Sequence, residues 1–172
     1  MENADHTFSL LAKSDDLSGF SCRNPVFDAY LKERAGQDMR RRAATVVLLR
    51  KRDAPGILGY YTISSFGIAL TDLLDTMRKR LPRYPVVPAV LIGRLALDHQ
   101  YEGQGLGRLL LIDALERAAH LDVAVWGAVV DAIDEAAIRF YERFGFIRLE
   151  SDPVRLILPV ETYLKATREV HE

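Results

Sequence analysis

The chain has 172 residues, about half of them hydrophobic, and 23 Lys and Arg against 24 Asp and Glu leave a formal charge of −1. That length and composition suit one domain, spanning 1–172, with an ample core and no room for a second catalytic domain. The lone Cys22 excludes an internal disulfide, no apolar run reaches the ~18 residues of a membrane span, and the polar amino terminus lacks the basic and apolar regions of a secretory signal. A soluble cytoplasmic protein is expected.

Residues 8–12 read as a strand and 25–39 as a helix. Two further strands, 44–50 and 56–66, meet through the turn Asp53-Ala54-Pro55-Gly56. Thr71 or Asp72 caps a short helix through Arg80. Pro82, Pro85 and Pro88 then end it ahead of a strand at 89–97. The long helix covers 105–121, and the almost wholly apolar run 124–130 suits a strand covered on both faces. A short helix follows over 134–146, then strand material at Leu149 and 154–158 and a partly helical tail. There are no internal repeats and no low-complexity tracts.

The segment 94–111 carries the strongest chemical signal. A strand-like run turns through Gly103, Gly105 and Gly107 into the long helix. The first N–H groups of a helix have no intrahelical acceptor, and the aligned peptide dipoles add partial positive charge there, so an anion is the natural partner. Glycines let the backbone take unusual dihedrals and approach such a ligand closely. The turn lacks the Lys and Ser/Thr of a P-loop and is not a strict G-x-G-x-x-G fingerprint. A plain strand-to-helix turn is therefore the alternative at this point.

Thirty residues on, Asp134 is placed to cap a helix, Glu135 sits in its first turn and Gly145 is placed to end it. Ala137, Phe140, Tyr141 and Phe144 fall at i, i+3, i+4 and i+7 and make one apolar face. Tyr141 therefore lies on the buried side, either as core aromatic or as a phenol held out of water.

Charge is unevenly distributed. Residues 32–94 hold thirteen Lys and Arg against five acids, and residues 95–150 hold five against ten. Arg40-Arg41-Arg42, Arg50-Lys51-Arg52 and Arg78-Lys79-Arg80 with Arg83 form basic clusters able to neutralise phosphates, or else ordinary solvated faces. Trp126 fits core or dimer packing better than a base-stacking platform.

On the turn Glu102-Gly103-Gln104-Gly105-Leu106-Gly107 and the helix 137–146, in this order and separation, the chain resembles the GNAT superfamily of acyl-CoA-dependent N-acetyltransferases. Glu102 stands where that family usually has Gln or Arg. Phe20-Ser21-Cys22-Arg23-Asn24, Phe27-Asp28-Ala29-Tyr30-Leu31, Gln37-Asp38, Gly59-Tyr60-Tyr61-Thr62, Leu81-Pro82-Arg83-Tyr84-Pro85 and Leu156-Ile157-Leu158-Pro159 extend the likeness, over roughly 7–168, to the GNAT-type toxins of bacterial toxin–antitoxin modules.

The resemblance implies an α/β fold whose mixed central sheet, splayed between two parallel strands, is flanked by helices. It implies acetyl-CoA as co-substrate and no metal. Leu95, Ala96 and Leu97 would pair with pantetheine amides, the amides of Gly103, Gln104, Gly105, Leu106, Gly107 and Arg108 would hold the pyrophosphate, and Phe144 would contact the donor. Tyr141 would protonate the leaving thiolate, and an N–H near Leu97 would meet the oxyanion. The implied acceptor is the α-amino group of an aminoacyl-tRNA, contacted by Arg40, Arg41, Arg42, Arg78, Lys79, Arg80, Arg83 and Arg94. The implied partners are a ribbon-helix-helix antitoxin and a second copy of the chain, with no membrane.

An α-amine titrates near ~7.7–8 and is partly neutral at pH 7, whereas a lysine near ~10.4 needs a strong base. Asp98, His99 and Glu102 flank the turn without forming an obvious dedicated base, which favours the α-amine. Two other readings stay open on sequence: an N-acetyltransferase of a small amine or a protein N-terminus, and a CoA-fold module that binds RNA or a partner without turnover.

Overall fold

Seven strands form one mixed sheet in the computed structural model, which describes residues 5–170. Residues 1–4, part of the polar amino terminus read above, lie outside the described residues. The first elements are β1 (His6–Leu10), α1 (Pro25–Ala29), a π-helical stretch (Tyr30–Arg34), α2 (Ala35–Arg40), β2 (Thr45–Lys51) and β3 (Gly59–Ala69). A 3-10 turn (Leu70–Asp72), α3 (Asp75–Arg78), β4 (Val86–Leu97), a second 3-10 turn (His99–Tyr101) and α4 (Leu106–Ala119) follow. The chain then forms β5 (Gly127–Asp131), α5 (Glu135–Glu142), β6 (Ile147–Arg148), β7 (Arg155–Pro159) and α6 (Val160–Glu169).

The strand order is β1-β2-β3-β4-β5-β7-β6. β1 with β2, β2 with β3, β5 with β7 and β6 with β7 are antiparallel, and β4 with β5 is parallel. The β4–β5 register runs from Ala89↔Gly127 to Ile92↔Val130, and β4 itself continues to Leu97. This is the mixed α/β architecture expected from the sequence. The described residues divide into two compact units, one comprising the chain up to Ser64 with Gly93–Ala114, the other Ser65–Ile92 with Leu115 onward.

In the first unit, Val46–Leu49 of β2 are four consecutive residues with no exposed surface, so this strand is covered on both faces. Phe20, Tyr30, Leu31, Ala35, Val46, Leu48, Ile57, Tyr60 and Ala96 form its core. The expected helix 25–39 is present but not uniform. Asn24 caps it by accepting from the N–H groups of Val26 and Phe27, with Pro25 in the first turn, where its missing N–H costs nothing. At Tyr30–Arg34 the helix widens into π geometry, which a 3.6-residue periodicity does not anticipate. The Tyr60 hydroxyl donates to the Phe27 carbonyl at 2.8 Å, just before that change of register. α2 ends in a Schellman motif, with Arg42 N–H donating to the Met39 carbonyl and Ala43 N–H to the Asp38 carbonyl.

In the second unit, Ile68, Leu73, Met77, Val87, Ala89, Val129, Leu149 and Ile157 form the core, and Trp126 packs against it. β5 begins at Gly127, later than the apolar run suggests, although Trp126 N–H still donates to the Pro88 carbonyl at 2.8 Å. β4 starts earlier than expected, at Val86, with exposed Pro88 inside it. Thr71 and Asp72 do not cap α3. They belong to the 3-10 turn, and Leu74, which offers no side-chain acceptor, stands at the cap. Asp134 does cap α5, accepting from Ala137 N–H at 2.7 Å.

Candidate functional site

β4 ends at Leu97, and the next residues build a turn whose geometry is fixed from both sides. The Asp98 carboxylate, 3% exposed, accepts from the N–H groups of Gln100 and Ser21, each at 3.0 Å. The Ser21 carbonyl accepts from His99 N–H at 2.9 Å and lies 2.8 Å from His99 Nδ1. The residues before the glycines are thus tied to the loop that leads into α1. Sequence reasoning placed Asp98 and His99 at the turn but missed this tie, because its partner lies 77 positions away. The only signal was the Phe20-to-Asn24 motif itself.

After Glu102, Gly103 has φ +75° and Gly105 has φ +76°, the left-handed region in which a Cβ is strained. A Cβ built on either would meet nothing within 4 Å, so the glycines are there for conformation and not for packing. Left-handed residues next to right-handed ones can turn successive N–H groups toward one side, as anion-binding concavities require. Gly103, Gln104, Gly105 and Arg108 are exposed, while Leu106, 4% exposed, anchors the start of α4. Leu109 N–H donates to the Gly105 carbonyl at 3.4 Å, so the amides of 105–108 precede the helix's own ladder. The Ala96 side chain is buried, and Leu95 and Leu97 are half-buried.

Tyr141 and Phe144 belong to the second unit. α5 closes on a Schellman motif: Gly145 has φ +90°, its N–H donates to the Glu142 carbonyl, and Phe146 N–H donates to the Tyr141 carbonyl at 3.3 Å. The apolar contact that accompanies such a cap is the Phe146 ring against Tyr141, with centroids 5.5 Å apart. Phe140 meets Tyr141 edge-on at 5.2 Å and Phe144 at 5.1 Å. Tyr141 is 8% exposed, and burial alone pushes its phenol up to about 12. The predicted apolar face is thus real, and it holds the phenol in its protonated form.

The cationic residues fall into different states. Arg40, Arg41 and Arg42 are exposed at the end of α2, and Lys79, Arg80 and Arg83 are exposed beyond α3. Arg78 is paired with Asp75, and Arg50 with Asp15 at 2.6 Å. The Arg94 guanidinium lies 3.5 Å over the Tyr30 ring, whose hydroxyl donates to Asp38 at 2.9 Å. A groove of about 580 Å³, lined by Thr71, Asp72, Asp75, Arg78, Glu150 and Ser151 among others, includes neither Tyr141 nor the glycine turn. Among the described residues no group of His, Cys, Asp and Glu could hold a metal ion, and no helix is long and apolar enough to cross a membrane.

The family model of the acetyltransferase (GNAT) family matches residues 15–146. The chain belongs to that family. It is therefore an acetyltransferase, and its glycine turn lies within the matched region. It is 31% identical over 150 residues to a tRNA-acetylating toxin of Mycobacterium tuberculosis, covering 86% of this chain and 88% of the relative. Among solved structures it superposes with a TM-score of 0.86 on AtaT complexed with acetyl-methionyl-tRNAfMet, at 29% identity over 95% of this chain and 99% of that one. A tyrosine-to-phenylalanine mutant of AtaT, bound to the C-terminus of the antitoxin AtaR and to acetyl-CoA, matches with a TM-score of 0.75 at 28% identity, over 92% of this chain and 95% of that one.

The Asp98 clamp yields a direct expectation. Asp98→Ala removes the acceptor of the half-buried Ser21 N–H and of the Gln100 N–H and should cost ~1–2 kcal/mol of unfolding free energy, read from the urea midpoint. A midpoint within error of the parent's would show the clamp to be dispensable.

Proposed function

We propose that this chain transfers the acetyl group of acetyl-CoA to the α-amino group of an aminoacyl-tRNA, blocking that tRNA for translation, and that 1–172 act as one acetyltransferase domain. The observation that carries the reading is the likeness, over nearly the whole chain, to a neighbour solved with an acetylated methionyl-tRNA. A turn of exposed, left-handed glycines at the start of α4 supports it from the residues.

In this reading the amides of Gly103 to Arg108 clasp the donor's pyrophosphate, with no need of the unusual Glu102 side chain. The backbone of Leu95, Ala96 and Leu97, beyond the registered pairing of β4 with β5, hydrogen-bonds the pantetheine amides as a peptide strand would. The neutral α-amine adds to the thioester carbonyl carbon, and the oxyanion that develops is met by a backbone N–H near Leu97. As the C–S bond breaks, the Tyr141 hydroxyl gives its proton to the sulfur, and the new amide loses its extra proton to water, through which the phenolate is restored. A phenol raised by burial is a reluctant acid toward a thiolate whose conjugate acid lies near ~8.5, so proton transfer is concerted with collapse of the tetrahedral intermediate. Phe144 contacts the donor beside Tyr141.

Arg40, Arg41, Arg42, Lys79, Arg80 and Arg83 are exposed cations for the tRNA backbone, and Arg78 and Arg94 contribute less because their guanidinium groups are already engaged. A ribbon-helix-helix antitoxin restrains the enzyme, which works in the cytoplasm as a homodimer. The neighbour bound to AtaR supports the antitoxin.

Tyr141→Phe should bind acetyl-CoA within about twofold of the parent and lose more than about 99% of transfer, since general acid catalysis contributes ~10²–10⁴. Undiminished turnover would remove the phenol from the mechanism. The parent's rate should rise with pH through the acceptor amine's ~7.7–8 and then stay level to about pH 10, because a general acid is lost only above its own pKa, here raised to about 12. A descending limb below that point would contradict the assignment. Gly105→Val should weaken acetyl-CoA binding at least about tenfold by calorimetry, as a β-branched residue resists the left-handed backbone. Equal affinity would sink the cradle. Replacing Arg40, Arg41 and Arg42 together by Gln should lower tRNA affinity and flatten its salt dependence by up to about three phosphate contacts, measured by filter binding across a salt series.

A further inference from the structure

Two residues other than glycine have positive φ among the described residues, Arg23 at +61° and Arg42 at +59°. An L-residue is strained there, and the side chains that tolerate it best are Asn and Asp, not Arg. Where this fold needs only the geometry, it uses glycine: Gly145 holds, in the Schellman motif that ends α5, the place that Arg42 holds in the one that ends α2. Both arginines are exposed, and no hydrogen bond or ion pair engages either guanidinium among the described residues. Strain accepted for a side chain that no internal hydrogen bond or ion pair employs points to a role outside the chain.

Arg23 has the more telling position. Its loop is pinned before it by Ser21, which donates to Asp98 and accepts from His99, and by Cys22 N–H, which donates to Asp28 at 2.9 Å. After it, Asn24 caps α1. The left-handed backbone is therefore imposed from both sides, and the guanidinium leaves a fixed base. The anchor, Asp98 and His99, stands four positions or so before the first glycine of the turn, in the same unit. The loop's acids do not compete for the cation: Asp98 is occupied by two N–H groups, and Asp28 by Ser21 Oγ, Cys22 N–H and Cys22 Sγ.

We propose that Arg23 is a phosphate-binding residue of the acetyl-transfer site, an inference that rests on the function proposed above. A guanidinium on a pinned loop presents paired donors to phosphate oxygens. Two phosphates come within that chemistry, the 3′-phosphate of acetyl-CoA and the backbone of the charged tRNA.

The test uses Arg23→Gly, which relieves the strain, and Arg23→Ala, which keeps the Cβ and removes the charge. The thermal midpoint of the Gly variant should equal the parent's or exceed it by up to ~3 °C. If the donor supplies the phosphate, both variants bind acetyl-CoA about five- to tenfold more weakly by calorimetry, and the parent's preference for acetyl-CoA over acetyl-3′-dephospho-CoA disappears. If the acceptor supplies it, donor affinity is unchanged, direct binding of a bulk pool of charged tRNA weakens about five- to tenfold, and the salt slope becomes shallower by about one. Unchanged binding in both arms overturns the proposal, and so does a loss that is matched by a lowered midpoint in the Gly variant. Should the parent fail to acetylate charged tRNA, the function proposed above falls by itself, while donor calorimetry and direct tRNA binding still decide Arg23.

Discussion

An α-helix that begins at a turn leaves its leading N–H groups without internal acceptors, and the rest of this site follows from how that deficit is handled. A side-chain cap would satisfy those groups and close the site. Here the residues ahead of α4 are glycines in the left-handed region, exposed, with open space where their Cβ atoms would stand. In the function proposed above, these amides are what an outside anion uses. Such use requires that the turn keep its shape when empty, and the buried Asp98 carboxylate together with the Ser21 carbonyl provides that support without occupying the amides themselves.

The same division of labour governs Tyr141. Its backbone carbonyl belongs to the cap of α5 and its ring is wedged between Phe140 and Phe146, so neither needs a hydrogen bond from the phenol to stay in place. Burial keeps the hydroxyl protonated, and positioning is achieved by packing alone. Elsewhere the chain consumes its charges internally: Arg50 on Asp15, Arg155 on Asp131, Asp38 on Tyr30. The arginines that remain exposed stand out because so many others are spoken for.

Much of this was legible in the sequence because the signals are local. Gly103 and Gly105 announce a turn, Asp134 and Gly145 bracket α5, and an i, i+3, i+4, i+7 stripe places Tyr141 on the inner face. What escaped depends on distant partners or on exceptions to periodicity. The ties of Asp98 and His99 to Ser21 join residues far apart in the chain. The cap of α3 falls at Leu74, where no side chain advertises it, and β5 starts at Gly127 although hydrophobicity alone would start it sooner. The basic residues read alike in sequence, yet Arg78 is paired, the isolated Arg94 is stacked over an aromatic ring and Arg40 to Arg42 are exposed, a distinction that only the neighbours of each residue could make.

The π-helical stretch Tyr30–Arg34 makes the first helix sensitive to its own length. An inserted residue shifts everything downstream by about 100° around the axis, so the halves on either side present faces that a regular helix could not present together. Tyr30, Leu31 and Ala35 all reach the interior in this arrangement, while Arg40 and Arg41 are carried outward. Removing one residue from the stretch would regularise the coil and rotate Ala35 and the cations beyond it by about 100° around the axis. Related chains that differ by a single insertion or deletion there should therefore display a differently aimed basic edge, even where every arginine is retained.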